Sequence, residues 1–277
     1  MIFKQLSEYF SKLESTASRN EMVVILARLF AEASTDEIDK VVYLTQGRVA
    51  PLFEAPEFGM AEKMVIKAMV LAFKKSVDEV TALYKKSGDL GTTAQELNRS
   101  RHDGMTVAEV FEKLTELTKT TGEGSVDKKV EILARLLQGS DPCSARFIAR
   151  IPVDKMRLGF SDMTVLEGLS WMIDGTKKHK DRIEAAYNVR PDLGFIAKAV
   201  KENRLENIGP KVGTPILGMR AERLTNAADI LEKMNGRCAV EPKLDGLRTQ
   251  LHFSKIRKDS GRGQNDVILG TPPWRGT

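Results

Sequence analysis

Helix-start signals recur so densely along the first two hundred residues that a helical body is almost dictated. Ser34-x-x-Glu37, Ser76-x-x-Glu79, Thr93-x-x-Glu96, Thr106-x-x-Glu109 and Thr164-x-x-Glu167 each fit the capping box. In that box a hydroxyl and a carboxylate satisfy backbone N–H groups that have no partner inside the helix. Asp141-Pro142 adds a start, because proline at the first helical position gives up only an N–H that was already unpartnered. Gly47, Gly88, Gly122 and Gly139 follow apolar segments, where glycine takes the left-handed conformation that closes a helix. Between these signals apolar residues keep a 3.6-residue period, as in Phe3, Leu6, Phe10 and Leu13, or Val107, Val110, Phe111, Leu114 and Leu117. The pattern predicts about ten helices from Met1 to about Arg204, with no fixed repeat, hence a globular helical domain and not a solenoid.

A length of 277 residues allows two domains, one large enough to bury a real core. Lys plus Arg total 43 against 38 acids, a formal charge of +5, which suits a polyanionic partner without demanding one. The two cysteines, Cys143 and Cys238, stand in no metal-ligand spacing and fit a reducing compartment. The apolar run from Met22 to Phe30 is broken by Arg28, so it reads as neither a signal-peptide core nor a membrane span. A cytoplasmic protein is expected, or a nuclear one in a eukaryotic cell, with no membrane partner.

The second informative stretch is Ala239-Val240-Glu241-Pro242-Lys243-Leu244-Asp245-Gly246-Leu247-Arg248-Thr249-Gln250-Leu251-His252. Asp-Gly supplies the positive φ angles of a two-residue hairpin turn, so a strand, a turn and a second strand are expected, with Lys243 at a strand end. Beyond the turn, Leu247, Leu251 and Phe253 alternate with Arg248, Gln250 and His252. A lone lysine on a strand edge is ordinarily a solvated charge. Here Glu241, Lys243, Asp245, Gly246 and Arg248 form E-x-K-x-D-G-x-R, which chance supplies in only about 10⁻⁴ of chains this long at ordinary composition. Asp245 is also the residue that a hairpin turn favours on its own account.

This motif resembles the nucleotidyl-transfer motif of the covalent nucleotidyltransferases: ATP-dependent DNA ligases, RNA ligases and mRNA capping enzymes. The resemblance implies that Lys243 is the catalytic nucleophile toward the α-phosphate of ATP, with Glu241 and Arg248 binding the nucleotide. A lysine amine has an ordinary pKa of about 10.4, so such a site must favour its neutral form. Mg²⁺ is the cofactor the family implies beside ATP, and no metal ligand is assigned in this sequence.

Three loops, Leu44 to Arg48, Thr121 to Ser125 and Lys155 to Asp162, combine glycine with a following helix or a basic side chain. Such turns aim backbone N–H groups at a helix N-terminus, where a phosphate is accepted. Arg150 to Leu166 resembles the R-x-G-x-x-D-x-T-V-L region of the helical DNA-binding domain of ATP-dependent DNA ligases, and Gln46-Gly47-Arg48 and Gly122-x-Gly124-Ser125 are similar to parts of the same domain. The resemblance implies DNA contacts at Gly47, Arg48, Gly124, Ser125, Arg157 and Gly159. It covers about residues 1–254. Capping enzymes and RNA ligases are not expected to carry this helical domain ahead of the lysine, so the order of parts favours DNA ligase.

The expected architecture is therefore mainly α. A multi-helix DNA-binding domain spans 1–205, a linker and the start of an incomplete α/β adenylation domain span 206–254, and a disordered basic tail spans 255–277. The tail holds 5 Lys and Arg against 2 acids. The family continues with further motifs and an OB-fold that this sequence does not show, as a truncation or a shifted reading frame would leave it. Forty-odd residues of adenylation domain are too few to enclose a nucleotide, so the chain is expected not to complete nick sealing. Expected partners are nicked duplex DNA, ATP and a sliding clamp, with a monomeric chain. A non-catalytic duplex-binding module and a helical interaction scaffold remain as alternatives.

Overall fold

The structure is a computed structural model that describes residues 1–54, 56–100, 104–218, 222–242, 245, 249–256 and 264–270. Among them run thirteen α-helices: α1 (Phe3–Glu14), α2 (Arg19–Glu32), α3 (Ile38–Thr45), α4 (Glu62–Phe73), α5 (Val77–Ser87), α6 (Leu90–Leu97), α7 (Val107–Lys119), α8 (Ser125–Gln138), α9 (Pro142–Arg150), α10 (Asp162–Asp174), α11 (Lys180–Val189), α12 (Leu193–Lys201) and α13 (Ala227–Lys233). Two antiparallel strands follow, β1 (Gln250–Ile256) and β2 (Gln264–Gly270), with Phe253 opposite Val267. The mainly α class is as the sequence predicts.

Local chemistry explains most helix starts. Thr106 and Glu109 close a full capping box on α7, Ser76 accepts from the Glu79 N–H at α5, and Asp141 caps α9 with Pro142 behind it. Two predicted boxes are corrected. Thr93 lies inside α6, which Asp89 caps by accepting from the N–H groups of Gly91 and Thr92. Thr164 lies inside α10, and Glu167 is buried, facing Arg19 and Lys180 at 3.1 Å each and Lys177 at 3.7 Å. At α6 an earlier residue, Asp89, takes the cap, and at α10 tertiary ion pairing claims Glu167, which local spacing had assigned to a cap. Ser34 makes only half a box, its N–H donating to Glu37 while α3 begins at Ile38. Gly88 ends α5 in the left-handed region, whereas Gly139 ends α8 at φ −81°.

The predicted apolar stripes form the core: Phe3, Leu6, Phe10, Leu13, Val107, Val110, Leu114, Leu117, Leu133 and Leu137 are all buried. Phe10 meets Phe147 edge to face with ring centroids 5.1 Å apart. Through this apolar interior runs a fully buried guanidinium. Arg150, at the end of α9, is 2% exposed and donates to both carboxylate oxygens of Asp89 (6% exposed) and of Glu14, at 3.0–3.2 Å for the bonds from Nε to Asp89 and from the terminal nitrogens to Glu14. It joins α9, α6 and α1. Gly91 is required beside it, because a Cβ there would lie 2.5 Å from Arg150 Nε and 2.6 Å from the Arg146 carbonyl.

The C-terminal part departs further from expectation. Residues 239–242, expected in the first hairpin strand, carry no strand. The hairpin formed is β1 with β2, so residues 255–256 and 264–270, expected in a disordered tail, are strand. The sequence gives the reason: Asn265, Val267 and Leu269 alternate with Gln264, Asp266 and Ile268, a short β-prone run that the flanking glycines and prolines masked. Gln250 of β1 is bound at both ends of its amide to the backbone of Ile216, and the Gly213 N–H donates to His252 Nδ1 at 3.2 Å, so β1 is fastened to the linker.

Breaking the buried pair should be costly, because the partner charges stay behind in a dry interior. Arg150→Ala is expected to lower unfolding free energy by about 3–5 kcal/mol in urea titration. Burial pushes the Asp89 carboxyl up, but hydrogen bonds and charge from Arg150 outweigh this and hold it well below the usual carboxylate range. A depressed folded pKa adds stability that is present above the ordinary carboxylate pKa and lost as pH falls toward the depressed value. The acid limb of the stability–pH curve should therefore flatten in Arg150→Ala.

Candidate nucleic-acid interface and nucleotide site

Two of the three predicted loops are built against each other. α3 ends at Thr45, and the chain turns back at Gly47 (φ +69°) with the Arg48 N–H donating to the Tyr43 carbonyl at 3.0 Å. A Cβ on Gly47 would sit 2.8 Å from Met156 Cγ, which places this turn directly on the 154–161 loop. Asp162, the first residue of α10, locks the pair: one oxygen accepts from Gln46 Nε2 at 2.7 Å and the other from the Tyr187 hydroxyl at 2.8 Å. Burial, then the charge of Asp162, pushes the Tyr187 phenol up, so it stays a donor. Asp162 is thus committed to holding loops in place.

The 154–161 loop has an alternating build. Met156 and Leu158 are buried as anchors, while Lys155, Arg157 and Gly159 face outward. Asp154 (φ 54°), Arg157 (φ 58°) and Gly159 (φ 73°) all occupy the left-handed region. For residues other than glycine this conformation is disfavoured, and such strain persists where the surroundings over-determine it. Arg157 Nη2 donates to the Gly88 carbonyl at 3.3 Å, so its guanidinium lies over the end of α5. Gly159 rests near α2, a Cβ there lying 3.7 Å from Met22 Cε.

Gly124 and Ser125 belong to a separate loop. Gly124 (φ 73°) precedes α8 with no side chain to cap it, and both Gly122 and Gly124 are exposed with open space where a Cβ would stand. The Ser125 N–H is taken by the Gly122 carbonyl at 3.2 Å, and the exposed loop leaves the start of this 14-residue helix open to solvent, a disposition suited to a phosphate. α8 packs on α4, α7 and α9. Glu62 and Tyr84 were not singled out in the sequence, yet both line the crevice beside Lys155 and Arg157. No local signal marks them, because 93 residues separate Glu62 from Lys155.

Of the predicted nucleotide site, Glu241 is exposed, and Lys243 and Arg248 lie outside the described residues. Asp245 is exposed. Among the described residues no three His, Cys, Asp or Glu side chains gather as a metal site. No described helix is long and apolar enough to cross a membrane.

A family model described as "DNA ligase N terminus" matches residues 2–170. The chain belongs to the DNA ligase family. It is 42% identical over 255 residues to a protein named probable DNA ligase from Dictyoglomus turgidum, covering 91% of this chain and 44% of that protein. It is 40% identical over 269 residues to a DNA ligase from Saccharolobus solfataricus, covering 91% of this chain and 45% of that one. A DNA ligase from Sulfolobus acidocaldarius is 39% identical over 293 residues, covering 97% and 49%. The chain thus spans less than half the length of these relatives. The matched region contains all three loops, two of which the fold brings into contact.

Alanine substitution separates the two kinds of loop glycine. At Gly124 the cost is conformational, about 1–2 kcal/mol for a left-handed L-residue. At Gly47 the same strain is joined by the close approach to Met156, so Gly47→Ala should lose clearly more than Gly124→Ala in parallel urea titrations. Equal losses would mean that Met156 yields freely.

Proposed function

We propose that this chain grips duplex DNA independently of sequence and carries the nucleophile of an ATP-dependent DNA ligase at Lys243. One observation carries the reading: a loop that buries Met156 and Leu158 so as to present Lys155, Arg157 and Gly159 precedes, in one chain, the motif Glu241-x-Lys243-x-Asp245-Gly246-x-Arg248. A nick occurs in any sequence, so its enzyme must hold phosphate and sugar and read few base edges. The solvent-open start of α8, the turn at Gly47 with Arg48, and Arg157 with Gly159 supply such contacts. Aromatic residues make up only 6% of the chain, which suits a duplex grip better than a base-stacking platform.

The chemistry assigned to Lys243 begins with attack of its neutral amine on the α-phosphorus of ATP. A nitrogen–phosphorus bond forms, pyrophosphate leaves and the amine loses a proton. In the whole ligase reaction the AMP then passes to the 5′-phosphate at the nick, restoring the lysine, and attack by the 3′-hydroxyl closes the strand and releases AMP; the step proposed for this chain is the first. Glu241 and Arg248 hold the nucleotide. A bound divalent cation would offset the charge of the triphosphate.

Two measurements test this reading. Duplex binding should be indifferent to sequence and weaken steeply with salt, and Arg157→Ala should lower the slope of log K against log salt by about 1. Binding that is unaffected by salt, or unchanged in Arg157→Ala, contradicts the DNA-gripping role. With α-labelled ATP and Mg²⁺, covalent label should remain on the chain and be absent from Lys243→Ala. Label that persists in that variant refutes the assigned nucleophile, whereas salt-sensitive binding with no label at all favours a non-catalytic duplex-binding module.

A further inference from the structure

The crevice beside Arg157 is lined by Glu62, Tyr84, Gly88 and Lys155 at its mouth, with Arg150 and Asp89 on its floor. Glu62 is the first residue of α4, Tyr84 sits near the end of α5, and Lys155 and Arg157 project from the strained loop between α9 and α10. Lys155 Nζ is 2.6 Å from Glu62 Oε1, and Tyr84 lines the crevice beside the same carboxylate. The hydrogen bond from Lys155 and then the neighbouring Tyr84 hydroxyl hold the Glu62 carboxyl below its usual range, while the same bond to Glu62 raises Lys155. The charges of Lys155 and Arg157 also oppose each other. One carboxylate oxygen pair thus gathers an ammonium and a phenol at the side of an exposed guanidinium.

Those donors are the ones a phosphodiester oxygen would take: a point cation, a hydroxyl and a guanidinium. We propose that Glu62 is an internal stand-in for a DNA phosphate, holding Lys155 poised beside Arg157 in the unbound chain and giving it up when the duplex backbone docks on the exposed mouth of the crevice. The inference rests on the reading of the 154–159 loop as a duplex contact. Exposure makes the exchange feasible. The Lys155 and Glu62 side chains are 47% and 42% exposed, so their pairing is screened by water and adds little to the fold. The Arg150–Asp89 pair beneath is buried, and remains as the fixed floor against which the exchange occurs. The crevice lining sets Arg150, Lys155 and Arg157 against Glu62 and Asp89, three cations against two acids, and that net positive charge favours the approach of a further anion. Glu62 therefore acts as a competitor, weakening duplex binding while keeping a flexible lysine in register.

This predicts a gain on removing a charge, the opposite of what loss of a supporting contact would produce. In the full chain at low salt, Glu62→Gln should bind a nicked duplex about two- to fivefold more tightly, the range of a single exposed ion pair. Lys155→Ala should bind more weakly with a salt slope lower by about 1. In the double variant Glu62→Gln with Lys155→Ala, the gain should vanish relative to Lys155→Ala alone. Far-ultraviolet circular dichroism and urea midpoints check that each variant is folded. Unchanged or weaker binding by a folded Glu62→Gln chain overturns the proposal, as does a gain that survives without Lys155. If Arg157→Ala still weakens binding in that case, only the role of Glu62 falls. If the parent chain binds no duplex, the DNA-gripping reading and this inference fall together.

Discussion

A guanidinium sealed inside a helical bundle is the constraint around which the rest is arranged. Arg150 is charged at any accessible pH, so its burial at the end of α9 is tolerable only because Asp89 and Glu14 meet it with both oxygens. Asp89 is doubly committed, since the same carboxylate caps α6. This couples the end of one helix to the start of another, and it explains why Gly91 must be glycine. The chain leaving Arg150 is thereby fixed in position, and the left-handed residues Asp154, Arg157 and Gly159 follow within nine positions of it. Structure and candidate function meet at that point.

From this anchor the candidate interface is assembled by pieces distant in sequence. Met156 seats the turn at Gly47, Asp162 clamps Gln46 and Tyr187, and Arg157 lies over the Gly88 end of α5. Each link is short and polar or tightly packed, so the loops carry little freedom of their own. A rigid presentation reduces the entropy lost when a phosphate backbone is bound.

Much of the helical architecture was legible in the sequence because it is local. The capping box at Thr106, the Asp141-Pro142 start and the stripe of α7 are decided within a few residues, and they appear in the fold as read. Thr93 misled because Asp89, four residues earlier, takes the cap of α6, and Thr164 because Glu167 answers to Arg19, 148 residues away, a pairing that leaves no mark on local spacing. The loop glycines were visible as candidates, while their mutual contact and the Glu62–Tyr84–Lys155 cluster were not. The hairpin was expected at the Asp-Gly step, and among the described residues it forms later, between β1 and β2. The motif residues Lys243 and Arg248 remain a reading of sequence alone.

Amide hydrogen exchange of the chain with and without a nicked duplex tests the central claim most directly, since it reports backbone contact residue by residue. The account predicts that slowing on DNA addition is concentrated at residues 46–48, 122–126 and 155–161, three segments far apart in sequence. Protection confined to α13 and the β1–β2 hairpin, or spread evenly over the helices with those loops unchanged, would contradict it.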